Sequence, residues 1–406
     1  MIDSTRAAAF GVFAALVYVS GASAQSELTC DITVTGQNDP AVDVAAVTSA
    51  VNSPLSAGAV TVCLAGTFDF GLPVPTNSIS VPIVPNPAVS SLNIIGLNDI
   101  KGQKATIRNG TQPLTLAPPA VLPSLTIENL RFVSPSLSAI TLLRANQTVR
   151  IAGIHVSGVR TFTLPGIGVQ FRNGISVSAA LASIGGEIVI EGNVLNGGAY
   201  TAADTTIAVS AGISLVGANT GTDLNFPARV IVRDNRLNDW SGAGIFAAGL
   251  NDATIENNRI DTGAFANQVV GCAQTNGVPA GSGIAVAYVT NSLIRDNVVN
   301  VVPSLTGTGA VPTCTAGLIA TGIAAGGAAD NIFYRNRIRG GGSYALIVGA
   351  TGFGSETDNV FAVNPVESFV PTSATLLLGP AATDNVLIGD FPTMQGNVGA
   401  NDIVTR

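Results

Sequence analysis

The sequence predicts an all-β fold, a parallel β-helix solenoid that forms one elongated domain. A six-residue unit recurs along the chain, with apolar residues at its first and last positions and asparagine often at its fourth. Hydrophobic residues make up 47% of the 406 residues and charged residues only 11%, so the chain can bury a large core. The 46 glycines argue against long helices. Short strands stacked coil upon coil account for all three observations.

The six-residue unit is clearest in the sequences VRDNRL, IENNRI, IRDNVV and FYRNRI, which begin at Val232, Ile255, Ile294 and Phe333. Looser copies begin at Leu92, Ile127, Ile151, Ile190, Phe361 and Val386. The spacing of the copies indicates a basic turn in the low twenties of residues that loops sometimes lengthen. A second unit lies 11 residues before three of the copies, at Gly244-Ile245, Gly283-Ile284 and Gly322-Ile323. Each turn therefore contains at least two registered strands.

Short strands of this kind bury a face only when each lies about 4.8 Å from the corresponding strand of the previous turn. Recurrence in one chain direction makes the pairing parallel, and the other sides of the coil supply the crossover. The first and sixth positions are predicted to point into the core. The fourth position is predicted to form an asparagine ladder at a coil corner, because an amide side chain both donates and accepts hydrogen bonds. Its members are Asn193, Asn235, Asn258, Asn297, Asn336 and Asn364.

This repeat pattern resembles the pectate-lyase-like superfold, the right-handed parallel β-helix, over roughly residues 35–395. The resemblance implies an N-terminal amphipathic capping helix, which residues 39–51 can form with Val44, Val47 and Val51 on one face. Such a helix would cover the open end of the core and its strand edges. The resemblance concerns the repeats and includes no catalytic signature. Enzymes of the superfold mostly act on polysaccharides with carboxylates, calcium, arginine or lysine.

The N-terminus predicts export, because Arg6 precedes an apolar stretch over residues 7–19 and a small-residue cleavage pattern ends at Ala24. We expect a signal peptide over 1–24, an N-terminal segment with the cap helix and first coil over 25–70, the β-helix with inserted loops over 71–395, and a C-terminal tail over 396–406. No membrane span is expected in the mature chain. The protein is expected to be secreted, periplasmic or at the cell surface.

The four cysteines, an even number in an exported chain, favour disulfides over metal ligation. On the β-helix layout, Cys30 and Cys63 would tie the N-terminal segment to the first coil. Cys272 and Cys314 would join equivalent loops on adjacent turns. Each closure would contribute about 2–4 kcal/mol of stability.

Composition excludes some partners. The net charge is −7 and the chain has only two lysines, Lys101 and Lys104, so no broad basic surface is available for nucleic acid. Calcium would need oxygen ligands that converge, whereas the candidate aspartates are spread over turns and loops. No cofactor or metal site is therefore expected. The aspartates considered are Asp234, Asp252, Asp261 and Asp296.

Three arginines at the fifth position of the unit, Arg236, Arg259 and Arg337, are the candidate catalytic residues, and Arg131 shares their row. In a polysaccharide lyase, one of them would stabilise an enolate-like intermediate or remove a proton beside a uronate carboxylate. The competing interpretation is charge pairing between coils. The second position favours pairing, because its charges alternate in sign through Glu191, Arg233, Glu256 and Arg295.

His155 is the only histidine, and no acidic residue lies near it in sequence to orient it as a general base. It is interpreted as a surface or turn residue. The chain also lacks the clustered aspartates and the histidine-glycine motif of the glycoside hydrolases in this superfold.

Four segments, 162–188, 197–229, 262–282 and 300–321, are nearly free of charge and are expected to form loops on one side of the rod. Loops on a rigid scaffold often carry recognition. The preferred function is therefore a non-catalytic binding or adhesive protein that recognises a glycan or a surface protein. The alternative, implied by the superfold, is a carbohydrate-active enzyme, either a polysaccharide lyase or an epimerase. The sequence does not indicate an oligomeric state.

Overall fold

The computed structural model describes residues 29–52, 58–72, 80–83, 87–116, 122–143, 148–160, 162–163, 170–178, 186–198, 208–219, 224–225, 228–240, 242–262, 282–302, 316–321, 327–349, 356–371 and 374–405. Asp31–Arg406 is one compact unit, and of the other unit, Met1–Cys30, only the last two residues are described. Asp31–Arg406 is a right-handed parallel β-helix, so the predicted fold class is confirmed. The predicted signal peptide, Cys272 and Cys314 lie outside the described residues.

Three stacks of parallel strands form the sides of the coil. The first stack contains Ile32–Gln37, Gly58–Asp69, Val89–Gly96, Ser124–Glu128, Thr148–Ala152, Gly186–Glu191, Ala228–Arg233, Ala253–Glu256, Leu293–Arg295, Ile332–Tyr334, Val360–Ala362, Val386–Ile388 and Asp402–Val404. The second stack begins at the end of Gly58–Asp69 and continues with Thr106–Arg108, Arg131–Val133, His155–Ser157, Val194–Asn196, Arg236–Trp240, Arg259–Thr262, Val298–Val301, Arg337–Gly342 and Val366–Pro371.

The third stack contains Ser80–Ile83, Gln112–Leu116, Leu137–Leu142, Gln170–Ser178, Ala208–Val216, Ala243–Ala248, Ser282–Ala287, Ala316–Thr321, Tyr344–Val348, Leu376–Leu378 and Met394–Gly396. Phe162–Thr163 adds an antiparallel strand to it. The remaining described elements are the strand pairs Ala218–Asn219 with Leu224–Asn225 and Glu356–Thr357 with Ala382–Thr383, the helix Pro40–Val51 and the 3-10 helix Val398–Ala400. No helix in the described part of the chain is long and apolar enough to cross a membrane.

The core is one row-by-row stack of apolar side chains inside the coil. In the first stack Val232, Ile255, Ile294 and Phe333 lie in register, and each is at most 1% exposed. The Phe333 and Phe361 rings stack with centroids 4.3 Å apart. Burying each such side chain stabilises the fold by about 1.5–3 kcal/mol.

Two of the looser copies of the unit lie out of register with the others. Ile94, not Leu92, lies beside Ile127, and Leu387, not Val386, lies beside Phe361. In strands with continuous apolar runs, neighbouring residues of similar type leave the inward position ambiguous until the pairing is known.

A continuous asparagine ladder lies at the corner between the first and second stacks. Each side-chain Nδ2 donates to the next Oδ1 at 2.8–3.0 Å, from Asn193 to Asn364 through four intermediate asparagines. Each Oδ1 also accepts from the preceding ladder residue's backbone N–H, as from Asn235 to Asn258 at 3.1 Å. The residue before each asparagine has a positive φ, as Asp234 does at 57°. The ladder therefore satisfies the buried polar groups of a sharp corner.

A second asparagine ladder, which the repeat unit does not reveal, precedes the first stack. It runs from Asn331 through Asn359 and Asn385 to Asn401 with Nδ2–Oδ1 distances of 2.8–2.9 Å. Its signal in the sequence is the pair Asp-Asn, which precedes an apolar strand at Asn331, Asn359 and Asn385 but not at Asn401. The ladder and the strand Asp402–Val404 extend the solenoid into the segment expected to be a C-terminal tail.

The helix Pro40–Val51 lies at the N-terminal end of the core, as the resemblance implied. Val47 and Val51 are buried, and Val44 packs against the core from a partly buried position. The Asp39 side chain caps the helix by accepting from the Ala41 N–H at 2.9 Å. The helix thus covers apolar surface that the first coil would otherwise expose.

Part of the third stack occupies segments that the sequence predicts to be loops, while Ala243–Ala248 and Ser282–Ala287 contain the predicted second unit. Gln170–Ser178, Ala208–Val216 and Ala316–Thr321 are strands in register with their neighbours. The small uncharged residues of Ala208–Val216 and Ala316–Thr321 conceal a strand pattern, because much of the outer side of this part of the stack is also apolar. Residues such as Phe246, Ile319 and Ile347 form a second buried cluster there. From Ala243–Ala248 to Tyr344–Val348 the third stack therefore presents few polar side chains.

A column of glycines lies at one edge of the third stack, where a side chain would clash with the next coil and with the core. It includes Gly244, Gly283 and Gly317. A Cβ on Gly283 would lie 2.6 Å from the Gly317 carbonyl oxygen and 2.1 Å from Val299 Cγ1. The row predicted to continue at Gly322 continues instead at Gly317, and Gly322 lies outside the described residues.

Candidate functional site

The outer face of the first stack carries charges that neutralise each other. Glu191 accepts from Arg150 at 2.8 Å on one side and pairs with Arg233 at 2.6 Å on the other. Burial acts to raise the pKa of Glu191, but hydrogen bonds from Arg233 and Arg150 outweigh it and hold that pKa below its ordinary value. Further along, Arg295 pairs with Glu256 at 2.6 Å. These charges are satisfied within the protein.

The outer face of the second stack has a different row, in which no carboxylate alternates with the cations. Its members, in register from coil to coil, are Arg131, His155, Val194, Arg236, Arg259, Val298 and Arg337. Adjacent members stand about 4.8 Å apart along the stack. The row therefore concentrates cationic side chains along one line of an acidic protein.

The structure does not bring the three candidate arginines to one point. Arg236 and Arg259 are adjacent in the row. Arg337 lies two coils farther on, with its Nε 3.2 Å from a Glu367 oxygen. Arg259 lies 3.8 Å from Asp261 on its own strand. Catalysis by these residues stays a prediction, and Arg259 and Arg337 each lie beside a carboxylate of the protein.

A hairpin at the corner before Thr106–Arg108 presents Lys104 beside the second stack. The antiparallel bridge Asn98–Lys104 closes the hairpin, and Asp99 Oδ1 stabilises its turn by accepting from the Gln103 N–H at 2.8 Å. Asn129 of the next coil donates to Asn98 Oδ1 at 3.1 Å. These contacts fix the start of the Lys104 side chain.

Lys104, Arg131 and His155 converge at this corner, and we call them the basic cluster. The Lys104 side chain crosses the coil that contains Arg131, and its Nζ donates to the carbonyl oxygen of Gly153, two residues before His155. His155 lies in register directly beside Arg131. Both His155 and Arg131 are exposed, while Lys104 is half-buried. The three side chains come from three consecutive coils.

The surroundings of His155 favour its neutral form. Burial lowers the pKa of His155, and the charges of Lys104 and Arg131 lower it further. Because the ordinary histidine pKa is about 6.5, the imidazole is uncharged at neutral pH and can accept a proton. Burial also lowers the pKa of Lys104, against an opposing effect of Glu128. A neutral base beside two cations is suited to removing a proton next to a carboxylate.

This convergence is not visible from the residues that lie near His155 in sequence. The usable signal was the repeat: Arg131 and His155 hold the same fifth position in consecutive copies. Lys104 lies in a nine-residue connection, residues 97–105, between a first-stack strand and a second-stack strand. The next coil makes the same connection with two residues, between Glu128 and Arg131. The extra length of that corner was the only indication of its position.

The aspartates considered for calcium have other positions. Asp234, Asp252 and Asp296 occupy left-handed corner conformations with φ of 55–60°, and Asp261 lies on the second stack. Among the described residues, no group of three or more His, Cys, Asp and Glu side chains is arranged to hold a metal ion. Cys30 and Cys63 are joined in the predicted disulfide.

A cleft of about 500 Å³ lies near the C-terminal end, lined by residues that include Val366, Phe369 and Asp390. Its lining contains no lysine, arginine or histidine. It therefore lacks the base and the cations that the basic cluster combines.

No protein-family model matches the chain. No curated protein matches it either. Among solved structures, a mutant of DFA-IIIase from Arthrobacter chlorophenolicus A6 in complex with DFA-III has a TM-score of 0.50 and 11% identity, covering 91% of this chain and 96% of that one. GH136 lacto-N-biosidase from Eubacterium ramulus has a TM-score of 0.47 and 11% identity, covering 93% and 68%. Alginate lyase from Paenibacillus sp. str. FPU-7 has a TM-score of 0.40 and 12% identity, covering 92% and 98%.

At these identities the likeness shows a shared fold. The neighbours are carbohydrate-active enzymes, and this contradicts the preferred interpretation of the chain as a non-catalytic binding or adhesive protein. That interpretation relied on apolar loops, part of which are third-stack strands, and on the absence of a contiguous catalytic motif.

Proposed function

We propose that the protein is a carbohydrate-active enzyme, specifically a polysaccharide lyase that cleaves a uronate-containing polymer. The observation that carries the proposal is the basic cluster, which places the only histidine beside Lys104 and Arg131, with its pKa lowered by burial and by their charges. The DFA-IIIase with the same fold supports the broader class, an enzyme that acts on carbohydrate. The finer assignment to lyase chemistry rests on the chemistry of the cluster.

The cluster supplies the parts that β-elimination requires. The His155 imidazole removes the proton from the carbon next to the uronate carboxylate, and the electron pair moves into that carboxylate to give an enolate-like intermediate. Arg131 and Lys104 stabilise its added negative charge. The electron pair then forms the carbon–carbon double bond and expels the glycosidic oxygen, which takes the proton back from the imidazolium. The products are a new chain end with a hydroxyl group and an unsaturated uronate.

We also propose that the protein works outside the cytoplasm and binds a polysaccharide. The disulfide of the first coil is compatible with an oxidising compartment. Export itself rests on the N-terminal sequence pattern, which lies outside the described residues.

The test is to incubate the purified protein with a panel of uronate polymers, polygalacturonate and alginate among them, and follow the ultraviolet absorbance of unsaturated products. His155→Asn should reduce turnover about 100-fold or more, because general-base catalysis contributes about 10²–10⁴-fold. Arg337→Gln is the matched control, since Arg337 shares the row but pairs with Glu367. It should leave turnover within about twofold.

Two results would contradict the proposal. One is turnover that survives His155→Asn but is abolished by Arg337→Gln. The other is the absence of new absorbance with every uronate polymer. An epimerase removes the same proton but returns one to the sugar without cleaving the chain. Solvent deuterium incorporated into an uncleaved polymer would therefore indicate an epimerase, and not a lyase, at this site.

A further inference from the structure

Arg236 and Arg259 form a pair of like charges on adjacent coils. They lie directly opposite each other in register, and both are exposed. Like charges placed opposite each other destabilise a sheet. Within the described residues Arg236 makes no ion pair, and the only partner of Arg259 is Asp261 at 3.8 Å. This pairing contrasts with the first stack, where the outward arginines Arg150, Arg233 and Arg295 each meet a carboxylate.

A row of short polar side chains runs beside the arginine pair. Asn196, Asn238, Asp261 and Asn300 follow one another in register on the same outer face. Asn238 Nδ2 donates to Asn196 Oδ1 at 2.6 Å. Amide and carboxylate groups at this spacing can accept from and donate to sugar hydroxyls. The face therefore combines two cations with three amides and the Asp261 carboxylate, which together offer charge and hydrogen bonds to an acidic sugar.

The pair lies in line with the basic cluster. In the row that contains His155, Arg236 is two coils farther on and Arg259 three, which corresponds to about 10 and 14 Å along the stack. The coil repeat is close to the length of one pyranose ring. A polymer aligned with the stack at His155 would therefore bring later sugar units over Arg236 and Arg259.

We infer that Arg236 and Arg259 form a subsite that binds the carboxylate of a uronate unit two to three sugars away from the unit attacked at His155. The inference rests on the proposed function for the identity of the attacked unit. In this role the arginines hold substrate by charge-assisted hydrogen bonds, and the anion relieves the repulsion between them. Both residues are thereby assigned to binding and not to the chemical step.

The double variant Arg236→Gln/Arg259→Gln tests the subsite. With uronate hexamers, KM should rise about tenfold or more, because removing each charge-assisted hydrogen bond weakens binding severalfold, while kcat stays within about twofold. With disaccharides, which cannot reach a unit two sugars from the attacked one, KM should not change. Arg229→Gln/Arg335→Gln removes two charges from other exposed positions and controls for net charge. A hexamer KM that does not rise, or that rises as much in the control, would overturn the subsite.

Binding without turnover separates this inference from the proposed function. Calorimetry should show the hexamer binding to His155→Asn and losing that binding when the two arginines are also replaced. If no uronate polymer is cleaved by the wild type but this loss is observed, the subsite stands and the lyase proposal fails. If the wild type cleaves the polymer but hexamer binding to His155→Asn does not depend on the arginines, the lyase proposal stands and the subsite fails.

Discussion

The outer faces of the first and second stacks belong to the same coils but arrange their charges differently. On the first stack Glu191 lies between Arg150 and Arg233, with each pair within 2.8 Å. On the second stack Arg131 adjoins His155 and no acidic residue separates them. A parallel in-register solenoid places residues from equivalent positions side by side, so alternating charges are the stable solution. The second-stack row does not alternate in charge, so its cations stay available to a ligand.

Both faces depend on the register that the asparagine ladder fixes at the corner between them. Replacing Asn258 by Ala should lower the free energy of unfolding by about 4 kcal/mol, because the acceptor for two Asn235 groups and the donor to Val232 are lost, at about 1–3 kcal/mol for each buried group left unsatisfied. Denaturant unfolding measures the loss. Asn238→Ala, on the outer face, is the control and should cost less than about 1 kcal/mol. Equal losses would show that the ladder does not determine the register.

The contrast between the faces predicts opposite outcomes for two exposed arginines. Arg131→Gln should reduce kcat/KM on the uronate polymer about 100-fold, because it removes a group that stabilises the charge of the intermediate. Arg233→Gln, on the first stack, should change kcat/KM by less than about twofold, since Arg233 is paired within the protein. Steady-state kinetics measures kcat/KM for both variants against the wild type. Similar losses would mean that charge in general, not its position, supports activity.

The pH profile gives a sharper comparison. Arg131 faces His155 from the preceding strand, Lys104 from the hairpin, and the uncharged Val194 from the following strand. Because burial and the charges of Lys104 and Arg131 lower the pKa of His155 and activity requires the neutral imidazole, the acidic limb of kcat/KM should lie below pH 6.5. Lys104→Gln should move that limb to higher pH.

The same shift is measurable without activity, since His155 is the only histidine and its proton NMR signal is unambiguous. Its titration midpoint should rise in Lys104→Gln and stay unchanged in Arg150→Gln, which alters the first-stack face of the same coil. A midpoint that falls in Lys104→Gln, or that rises equally in both, would remove Lys104 from the cluster.

The sequence predicted the features that every coil repeats and missed the contacts that single residues make across coils. The inward rows and the ladder residues such as Asn258 were visible because every coil repeats the same local chemistry. The third stack was only partly visible, because a strand such as Ala316–Thr321 is apolar on both sides and lacks the alternation that marks a half-buried strand. The basic cluster was hidden for a different reason. Lys104 reaches Gly153 across an intervening coil, and only the register shows which residues then meet.

The smallest effect is expected where the charges are already satisfied. Glu191→Gln should lower the free energy of unfolding at neutral pH by less than about 1 kcal/mol, because both arginine partners are about 40% exposed and solvent screens the pairs. The folded-state pKa of Glu191 is depressed, so its contribution is present above the ordinary glutamate pKa of 4.5 and is lost as the pH falls through the folded value. The difference between wild type and variant should therefore shrink below pH 4.5 and with added salt. A difference that is large, or constant with pH, would mean that the first-stack ion pairs hold the coils together, and the two faces would no longer differ in the way proposed.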